Sequence, residues 1–175
     1  MKVAILTVSD RSAAGIRPDS SGPAIEELIK KQGWEITSMA TVPDDLLEIK
    51  SILENWCDHL AVDVIFTTGG TGFSPRDVTP EATRLVIQRE APGIVEAMRY
   101  ESLKITPHAM LSRAIAGIRN KTIIINLPGS PKAAIENLNT VIGILPHAVE
   151  LLHESPNAES GHSFYRSPKQ DNHPQ

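Results

Sequence analysis

The sequence VDVIFTTGGTGFSPRDVTPEA occupies residues 62–82 and decides the fold. It opens with Val62–Thr68, a short apolar run rich in β-branched side chains, which predicts a strand buried on both faces. The glycines of Thr68–Gly72 then predict a tight turn. Thr79 and Pro80 have the residue types of a helix N-cap and a first helical position. A strand, a glycine turn and a helix in this order are the parts of a βαβ unit.

The same alternation extends in both directions along the chain. Further strands are predicted at Lys2–Val8, Trp34–Val42 and Thr122–Leu127, with a turn or hairpin over 116–122. Helices are predicted at Pro23–Gln32, Asp45–Leu60, Thr79–Arg89 and Gly93–Leu103, around Met110–Ala114, and from Pro131 to His153 with a break at Pro146. Alternating strands and helices predict an α/β fold whose doubly wound, mostly parallel sheet has helices on both faces.

Length and composition fit one folded domain. The chain has 175 residues, 41% of them hydrophobic, and a formal net charge of −4. A domain takes about 100–200 residues, and the mild acidity argues against a nucleic-acid binder, which has a basic excess or stripe. We expect the domain to span residues 1–153 and a polar tail to span 154–175, where Ser and Pro replace the apolar pattern.

The chain carries no pattern for secretion or for a membrane. Its first apolar run is short and ends at Ser9 and Asp10, which is unlike a signal peptide, and no stretch reaches the ~18 apolar residues of a membrane span. Its one cysteine, Cys57, excludes an intramolecular disulfide and a cysteine-based metal cluster. The predicted compartment is the cytoplasm.

Ligands of open α/β sheets bind beyond the carboxyl ends of the strands. The segments that follow the predicted strands here are rich in glycine, hydroxyl and carboxylate side chains. They are Ser9–Gly22, Pro43–Asp45, Thr68–Thr79 and Asn126–Ser130. We therefore expect a binding site at this edge of the sheet.

The Thr68–Gly72 loop permits two interpretations. Its glycines allow the backbone to approach an oxyanion and to turn N–H groups toward it, but they also suit a simple strand-to-helix turn. The loop is neither a Walker A motif nor a Rossmann fingerprint. The helix N-terminus after Thr79 favours phosphate binding, because its positive dipole end attracts anions.

Charged residues near this loop suggest a magnesium-assisted site. Arg76 is a candidate clamp for phosphate oxygens, and Asp77 is a candidate Mg²⁺ ligand, since Mg²⁺ is held by one or two carboxylates plus phosphates and water. Asp44 is the natural second carboxylate, but for Asp44 taken alone the position of a helix N-cap is a complete explanation and is favoured, whereas for Asp77 a functional role is favoured.

The remaining motifs exclude other chemistries. In Pro128–Pro131, Gly129 and Ser130 either present N–H groups to the same site or connect a strand to a helix that Ser130 caps. The six histidines have no zinc-binding spacing. A Gly-x-Ser-x-Gly nucleophile elbow is absent, which argues against a serine hydrolase.

Taken together, the motifs resemble the molybdenum cofactor biosynthesis proteins of the MogA/MoaB type, including the G domains of gephyrin-like homologues. The resemblance covers roughly residues 2–153. It lies in Thr7–Asp10, Pro18–Pro23, Val42–Asp44, Thr68–Gly72, Pro75–Ala82, Glu101–Pro107, Met110–Arg113 and Asn126–Gly129.

The resemblance implies a molybdopterin adenylyltransferase. Such an enzyme couples molybdopterin to the AMP moiety of Mg-ATP and releases pyrophosphate. The resemblance also implies a single three-layer α/β/α domain, a homotrimer, and a partner protein that inserts molybdate. By position, Asp44 and Asp77 match the catalytic, magnesium-binding carboxylates. The predicted substrate- and nucleotide-binding residues are Ser9, Asp10, Thr68, Gly69, Gly70, Thr71, Gly72, Arg76, Ser102, Ser112, Asn126, Pro128, Gly129 and Ser130.

A second function stays open at this point. Some MoaB-type paralogues are inactive, so the chain could be a non-catalytic molybdopterin-binding paralogue or scaffold. That alternative predicts pterin binding without consumption of ATP. The intact Arg76-Asp77 pair and the Val78–Glu81 segment favour the enzyme.

Overall fold

Apolar, β-branched runs form the centre of a six-stranded sheet in the computed structural model, which describes residues 1–155. The strands are Lys2–Val8 (β1), Glu35–Val42 (β2), Val64–Thr68 (β3), Arg89–Glu90 (β4), Ala116–Arg119 (β5) and Thr122–Leu127 (β6). Their order across the sheet is β2-β1-β3-β6-β5-β4. Strands β2, β1, β3 and β6 are parallel to their neighbours, and β5 and β4 continue the sheet in antiparallel pairing.

The register brings the carboxyl ends of the parallel strands to one edge. Thr68 is paired with Thr7 of β1 and with Leu127 of β6, and Val8 is paired with Val42 of β2. The loops that follow these four strands therefore leave the sheet side by side. This alignment is what assembles residues far apart in the sequence into one site.

Helices cover both faces of the sheet. They are Asp10–Ala13 (α1), Ser21–Lys31 (α2), Leu46–His59 (α3), Thr79–Val86 (α4), Pro92–Leu103 (α5), Pro131–Val141 (α6) and Leu145–Leu152 (α7), with 3₁₀ turns at Pro107–Leu111 and Ile142–Ile144. Alternate residues of the strands divide the core in two. One half, containing Ile5 and Phe66, packs on α2, α5, α6 and α7, and the other, containing Leu6 and Ile65, packs on α3 and α4. The predicted three-layer α/β/α fold with a mostly parallel sheet is confirmed.

Several predicted boundaries differ from the observed ones. The helix predicted at Thr79–Arg89 ends at Val86, because Ile87 takes an extended backbone and Arg89–Glu90 pairs with β5 as an edge strand. The segment predicted as helical around Met110–Ala114 is a 3₁₀ turn that ends at Leu111.

The helical pattern predicted from Pro131 to His153 is also interrupted at a different place from the predicted one. A 3₁₀ turn at Ile142–Ile144 interrupts it, and Pro146 lies in the first turn of α7, where a missing N–H costs little. The hairpin predicted over 116–122 is confirmed as β5 and β6. Gly33 follows the end of α2 with φ +73°, the left-handed conformation expected there.

Both ends of the described chain meet at the amino edge of the sheet. Asp63, just before β3, accepts a hydrogen bond from the main-chain N–H of Lys2 at 2.7 Å through Oδ2. Its other oxygen, Oδ1, lies 3.1 Å from Nε2 of His153, at the end of α7. The tail predicted at 154–175 lies outside the described residues, apart from Glu154 and Ser155.

None of the helices within residues 1–155 combines the length and the apolar character needed to cross a membrane.

Candidate active site

A polar pocket of about 550 Å³ opens beyond the carboxyl ends of β1 and β3. Most of the predicted site residues line it: Ser9, Asp10, Asp44, Thr68, Gly69, Gly70, Arg76, Asp77, Gly129 and Ser130. The pocket thus combines the loops after β1, β2, β3 and β6, as the strand-end rule predicts.

Asp10 and Asp44 hold each other in place across the pocket floor. The N–H of Asp10 donates to Asp44 Oδ2 at 3.0 Å, and the N–H of Asp44 donates to Asp10 Oδ1 at 3.0 Å. The prediction that Asp44 caps α3 is wrong, because Asp45 is the N-cap and accepts from the N–H groups of Leu47 and Glu48. Asp44 therefore has no capping role, and its carboxylate faces the pocket.

Arg76 forms an ion pair with Asp10. Its Nε and Nη2 donate to the two carboxylate oxygens of Asp10 at 3.0 and 2.8 Å. The hydrogen bond from Arg76 lowers the pKa of the Asp10 carboxyl below its usual value. This two-pronged geometry is also the one by which a guanidinium binds a phosphate group.

The pKa of the Asp44 carboxyl is shifted in the direction opposite to that of Asp10. Burial raises the pKa of its carboxyl, and the nearby charges of Asp10 and Asp77 add to the rise. A site that gathers partly desolvated carboxylates attracts a cation, since a cation relieves their mutual repulsion.

The glycine loop passes close to both candidate metal ligands. A Cβ atom built on Gly70 would lie 2.8 Å from Asp44 Oδ1, and one built on Gly72 would lie 2.9 Å from Asp77 Oδ2. Gly69 and Gly70 have φ of +101° and +61°, which side-chain-bearing residues rarely adopt. The loop needs its glycines for conformation and for close approach to the carboxylates.

Two hydrogen bonds fix the loop on α4. Thr79 donates from Oγ1 to the carbonyl of Gly69 at 2.9 Å, and its N–H donates to the carbonyl of Gly70 at 3.1 Å. The prediction that Thr79 caps the helix is wrong by one residue, since Val78 holds the N-cap position and Thr79 begins α4. Its hydroxyl binds the loop instead of the helix end.

The turn after β6 lies against the glycine loop. Thr68 donates from Oγ1 to the carbonyl of Pro128 at 2.7 Å, and a Cβ on Gly129 would lie 3.1 Å from the Cα of Gly69. Ser130 occupies the N-cap position of α6, but its hydroxyl makes no capping hydrogen bond. Ser130 lines the polar pocket.

A second, more apolar pocket of about 290 Å³ lies on the other side of these two turns. It is lined by four predicted site residues besides Pro128: Thr71, Gly72, Ser102 and Ser112. Thr68–Gly72 and Pro128–Ser130 therefore contribute to both pockets and form the wall between them.

Asn126 is the predicted site residue that lies apart from both pockets. It is fully buried, and its Nδ2 donates to Thr67 and Thr83, each at 2.9 Å. Its Oδ1 accepts from the N–H of Ile115 at 3.2 Å. In the described structure this amide joins β6 to β3, α4 and the segment before β5.

Sequence reasoning missed several pocket residues. Asp19 lines the polar pocket, accepts from Thr7 Oγ1 at 2.6 Å and binds the N–H groups of Ser21 and Gly22. Asn137 lines the apolar pocket and donates to Ser102 Oγ at 3.1 Å. Asp19 lies within the Pro18–Pro23 motif, which was a usable signal, whereas Asn137 is one of several polar residues of α6 and nothing in the sequence distinguishes it from the others.

Residues 4–147 match the family model described as "Probable molybdopterin binding domain". The chain belongs to this family.

Relatives within the family agree with the match. The chain is 43% identical over 157 residues to the molybdopterin adenylyltransferase of Helicobacter pylori, with 86% of each protein covered. It is 49% identical over 164 residues to gephyrin of Dictyostelium discoideum, but spans only 23% of that longer protein. The crystal structure of MoaB from Thermus thermophilus has a TM-score of 0.83 at 48% identity and covers 89% of this chain and 98% of MoaB.

Proposed function

We propose that the chain is a molybdopterin adenylyltransferase, which joins the AMP moiety of ATP to the terminal phosphate of molybdopterin and releases pyrophosphate. The observation that carries the proposal is the pair of pockets that share one wall, Thr68–Gly72 with Pro128–Ser130. Two substrates bound on opposite sides of this thin wall can bring their phosphates together at its rim. The names of the relatives support the same activity.

The character of each pocket suggests which substrate it binds. The polar pocket, with Arg76, hydroxyl groups and glycine N–H groups, suits the triphosphate of ATP. The apolar pocket has Val95 and Met98 in its walls and Ser102 and Asn137 as polar groups. Flat apolar walls with a few polar groups suit a heterocycle such as a pterin.

Asp44 and Asp77 fit a magnesium ion in their chemistry. Both offer hard oxygen ligands next to the glycine loop, and Mg²⁺ is held by one or two carboxylates together with substrate phosphates and water. Within residues 1–155 no group of three or more His, Cys, Asp or Glu side chains is arranged to hold a metal ion. When bound, Mg²⁺ neutralises negative charge on the phosphates.

The residues of the chain then act by binding and orientation. In the transfer, an oxygen of the pterin's terminal phosphate bonds to the α-phosphorus of ATP, and the bond from that phosphorus to the β-phosphate bridging oxygen breaks. A phosphate monoester is already ionised at pH 7, since its second pKa is about 6. The attacking oxygen therefore needs no general base, and Arg76 and the loop N–H groups only need to hold the two phosphates in line.

The direct test is incubation with molybdopterin, ATP and Mg²⁺, with pyrophosphate and adenylylated pterin as readouts. We expect both products, and we expect Asp77→Asn to abolish turnover while pterin binding persists. Asp45→Asn is the matched control, because Asp45 caps α3 through a side-chain oxygen that asparagine also has. Pterin binding without consumption of ATP would refute the proposal in favour of a non-catalytic binding protein.

We further propose that the protein works in the cytoplasm as a homotrimer and passes its product to a molybdate-insertion protein. Exposed apolar side chains on α5, in the following 3₁₀ turn and between the two, among them Tyr100, Ile105 and Met110, support an association of subunits. Light scattering should give a mass three times that of the 19.0 kDa chain. A monomer at micromolar concentration would contradict the trimer.

A further inference from the structure

Arg113 makes an unusual set of contacts with the glycine loop and the segment that follows it. Its Nε donates to the carbonyl of Gly72 at 2.6 Å, its Nη2 donates to the carbonyl of Asp77 at 2.5 Å, and its Nη1 pairs with the carboxylate of Glu81. Its own N–H donates to the carbonyl of Thr71 at 2.9 Å. One residue thus holds the segment between β3 and α4 at Thr71–Gly72 and at Asp77, and also binds Glu81 in α4.

These contacts determine where the Asp77 carboxylate lies. The N–H of Asp77 donates to the carbonyl of Ser74 at 2.9 Å, and its Oδ2 accepts from the N–H of Ser74 at 3.0 Å. Arg113 fixes the remaining polar group of this residue, its carbonyl. With the N–H and the carbonyl of Asp77 both held, the carboxylate faces Gly72 and the polar pocket.

Arg113 is also the sequence neighbour of a residue that lines the apolar pocket. It follows Ser112, which lines the apolar pocket and whose carbonyl accepts from Arg99 Nη2 at 3.2 Å.

We propose that Arg113 is a positioning residue: it holds the Asp77 carboxylate in the polar pocket by fixing the main chain on both sides of it. The effect on turnover rests on the proposed function, whereas the effect on the loop does not. Arg113 acts through Asp77 and touches no reacting atom. A guanidinium is needed because its planar fork reaches two carbonyls and a carboxylate at once, which an ammonium group cannot do.

Arg119 provides a matched control on β5. It also pairs with a carboxylate, that of Asp58, at 2.9 and 2.7 Å, and also donates to a helix carbonyl, that of Val86, at 3.1 Å. It lines neither pocket. Replacing Arg119 by alanine therefore shows what the loss of such an ion pair does to the fold when neither pocket is involved.

The first experiment is hydrogen exchange of the protein without ligands, followed by mass spectrometry of peptides that cover residues 69–78. In Arg113→Ala we expect exchange there to rise about tenfold, since the loop loses the contacts that close it. In Arg119→Ala we expect the same peptides to exchange as in the wild type. Unchanged exchange in Arg113→Ala, or an equal rise in Arg119→Ala, overturns the proposal.

The second experiment is turnover, measured as pyrophosphate release. We expect kcat of Arg113→Ala to fall about 100-fold, the loss typical of a catalytic group displaced by roughly 1 Å. Millimolar guanidinium should restore part of it, and Arg119→Ala should keep wild-type kcat with or without guanidinium. A loss of kcat that guanidinium does not reverse, and that Arg119→Ala shares, would mean a merely structural role and would overturn the proposal.

The proposal can still be tested if Arg113→Ala does not fold or if the wild type is inactive. If Arg113→Ala does not fold, Arg113→Lys carries the same comparison, with increased exchange at 69–78 expected because lysine can reach only some of the three partners. If the wild type itself fails to consume ATP, the proposed function fails, but the exchange result still decides whether Arg113 holds the loop.

Discussion

The substitution Gly70→Ala tests whether the glycine loop is shaped by its contact with Asp44. Gly70 has φ +61°, and a Cβ atom there would lie 2.4 Å from Thr79 Oγ1 and 2.8 Å from Asp44 Oδ1. Thr79 is fully buried and bonded to the carbonyl of Gly69, so it cannot move aside freely. The added methyl group must displace either the loop or the Asp44 carboxylate.

The magnitude follows from two separable costs. A left-handed backbone costs a side-chain-bearing residue about 1–2 kcal/mol, and overpacking at a buried contact adds about 1–3 kcal/mol. Gly33→Ala isolates the first cost, because Gly33 has φ +73° and a Cβ there would meet nothing within 4 Å. We expect Gly70→Ala to be less stable than Gly33→Ala by about 1–3 kcal/mol, the overpacking cost alone.

Urea unfolding followed by circular dichroism measures this difference in free energy, provided that the slope with urea is the same in both variants. Both proteins should remain folded, because a domain has about 5–15 kcal/mol of stability. Gly70→Ala should also lose adenylylation while Gly33→Ala keeps it. Equal losses of stability in the two variants would refute the claim that the Cβ of residue 70 has no room.

Three other predictions concern single residues. At pH 7 Asp44→Asn should have a higher free energy of unfolding than the wild type, because burial raises the pKa of the Asp44 carboxyl and its charged form therefore destabilises the fold. In urea titrations this gain in stability should vanish as the pH falls below the usual aspartate pKa of 3.8, where residue 44 is protonated in both the folded and the unfolded wild type. Cys57, whose pKa burial raises to about 12, should react with a thiol reagent at pH 8 only after unfolding in urea, and rapid reaction of the native protein would contradict its burial. Asn126→Ala should lower the free energy of unfolding by about 1–3 kcal/mol, because the N–H of Ile115 loses its side-chain acceptor and two threonine hydroxyls lose a donor. An unchanged urea midpoint would show that these hydrogen bonds contribute nothing to stability.

The fold was largely predictable because its strongest signals are local. The runs at β1, β3 and β6 are apolar and β-branched over consecutive residues, as strands covered on both faces must be. The edge strand Arg89–Glu90 was not predictable, since both residues are exposed and charged and only their pairing with β5 makes them a strand.

The site was predictable where its residues follow a strand, and less so where tertiary contacts decide. Asp44 and Asp45 are chemically equal candidates for the cap of α3, and the choice falls on Asp45 because Asp10 engages Asp44 from another loop. Arg113 ends the Met110–Arg113 motif, but its role was not predictable from the sequence for a related reason. Its partners on the glycine loop are backbone carbonyls, which every residue has, so no sequence pattern reveals them.

The position of Asp63 has a consequence for how this unit can be used in larger proteins. Through Asp63 the start of β1 and the end of α7 are neighbours, at the edge of the sheet opposite the pockets. The start of β1 and the end of α7 therefore lie at the edge of the sheet away from the polar pocket. A domain with this arrangement can be fused into a longer polypeptide without obstructing its own pockets, and gephyrin, of which the matching region is only 23%, is a protein in which a related unit is part of such a chain.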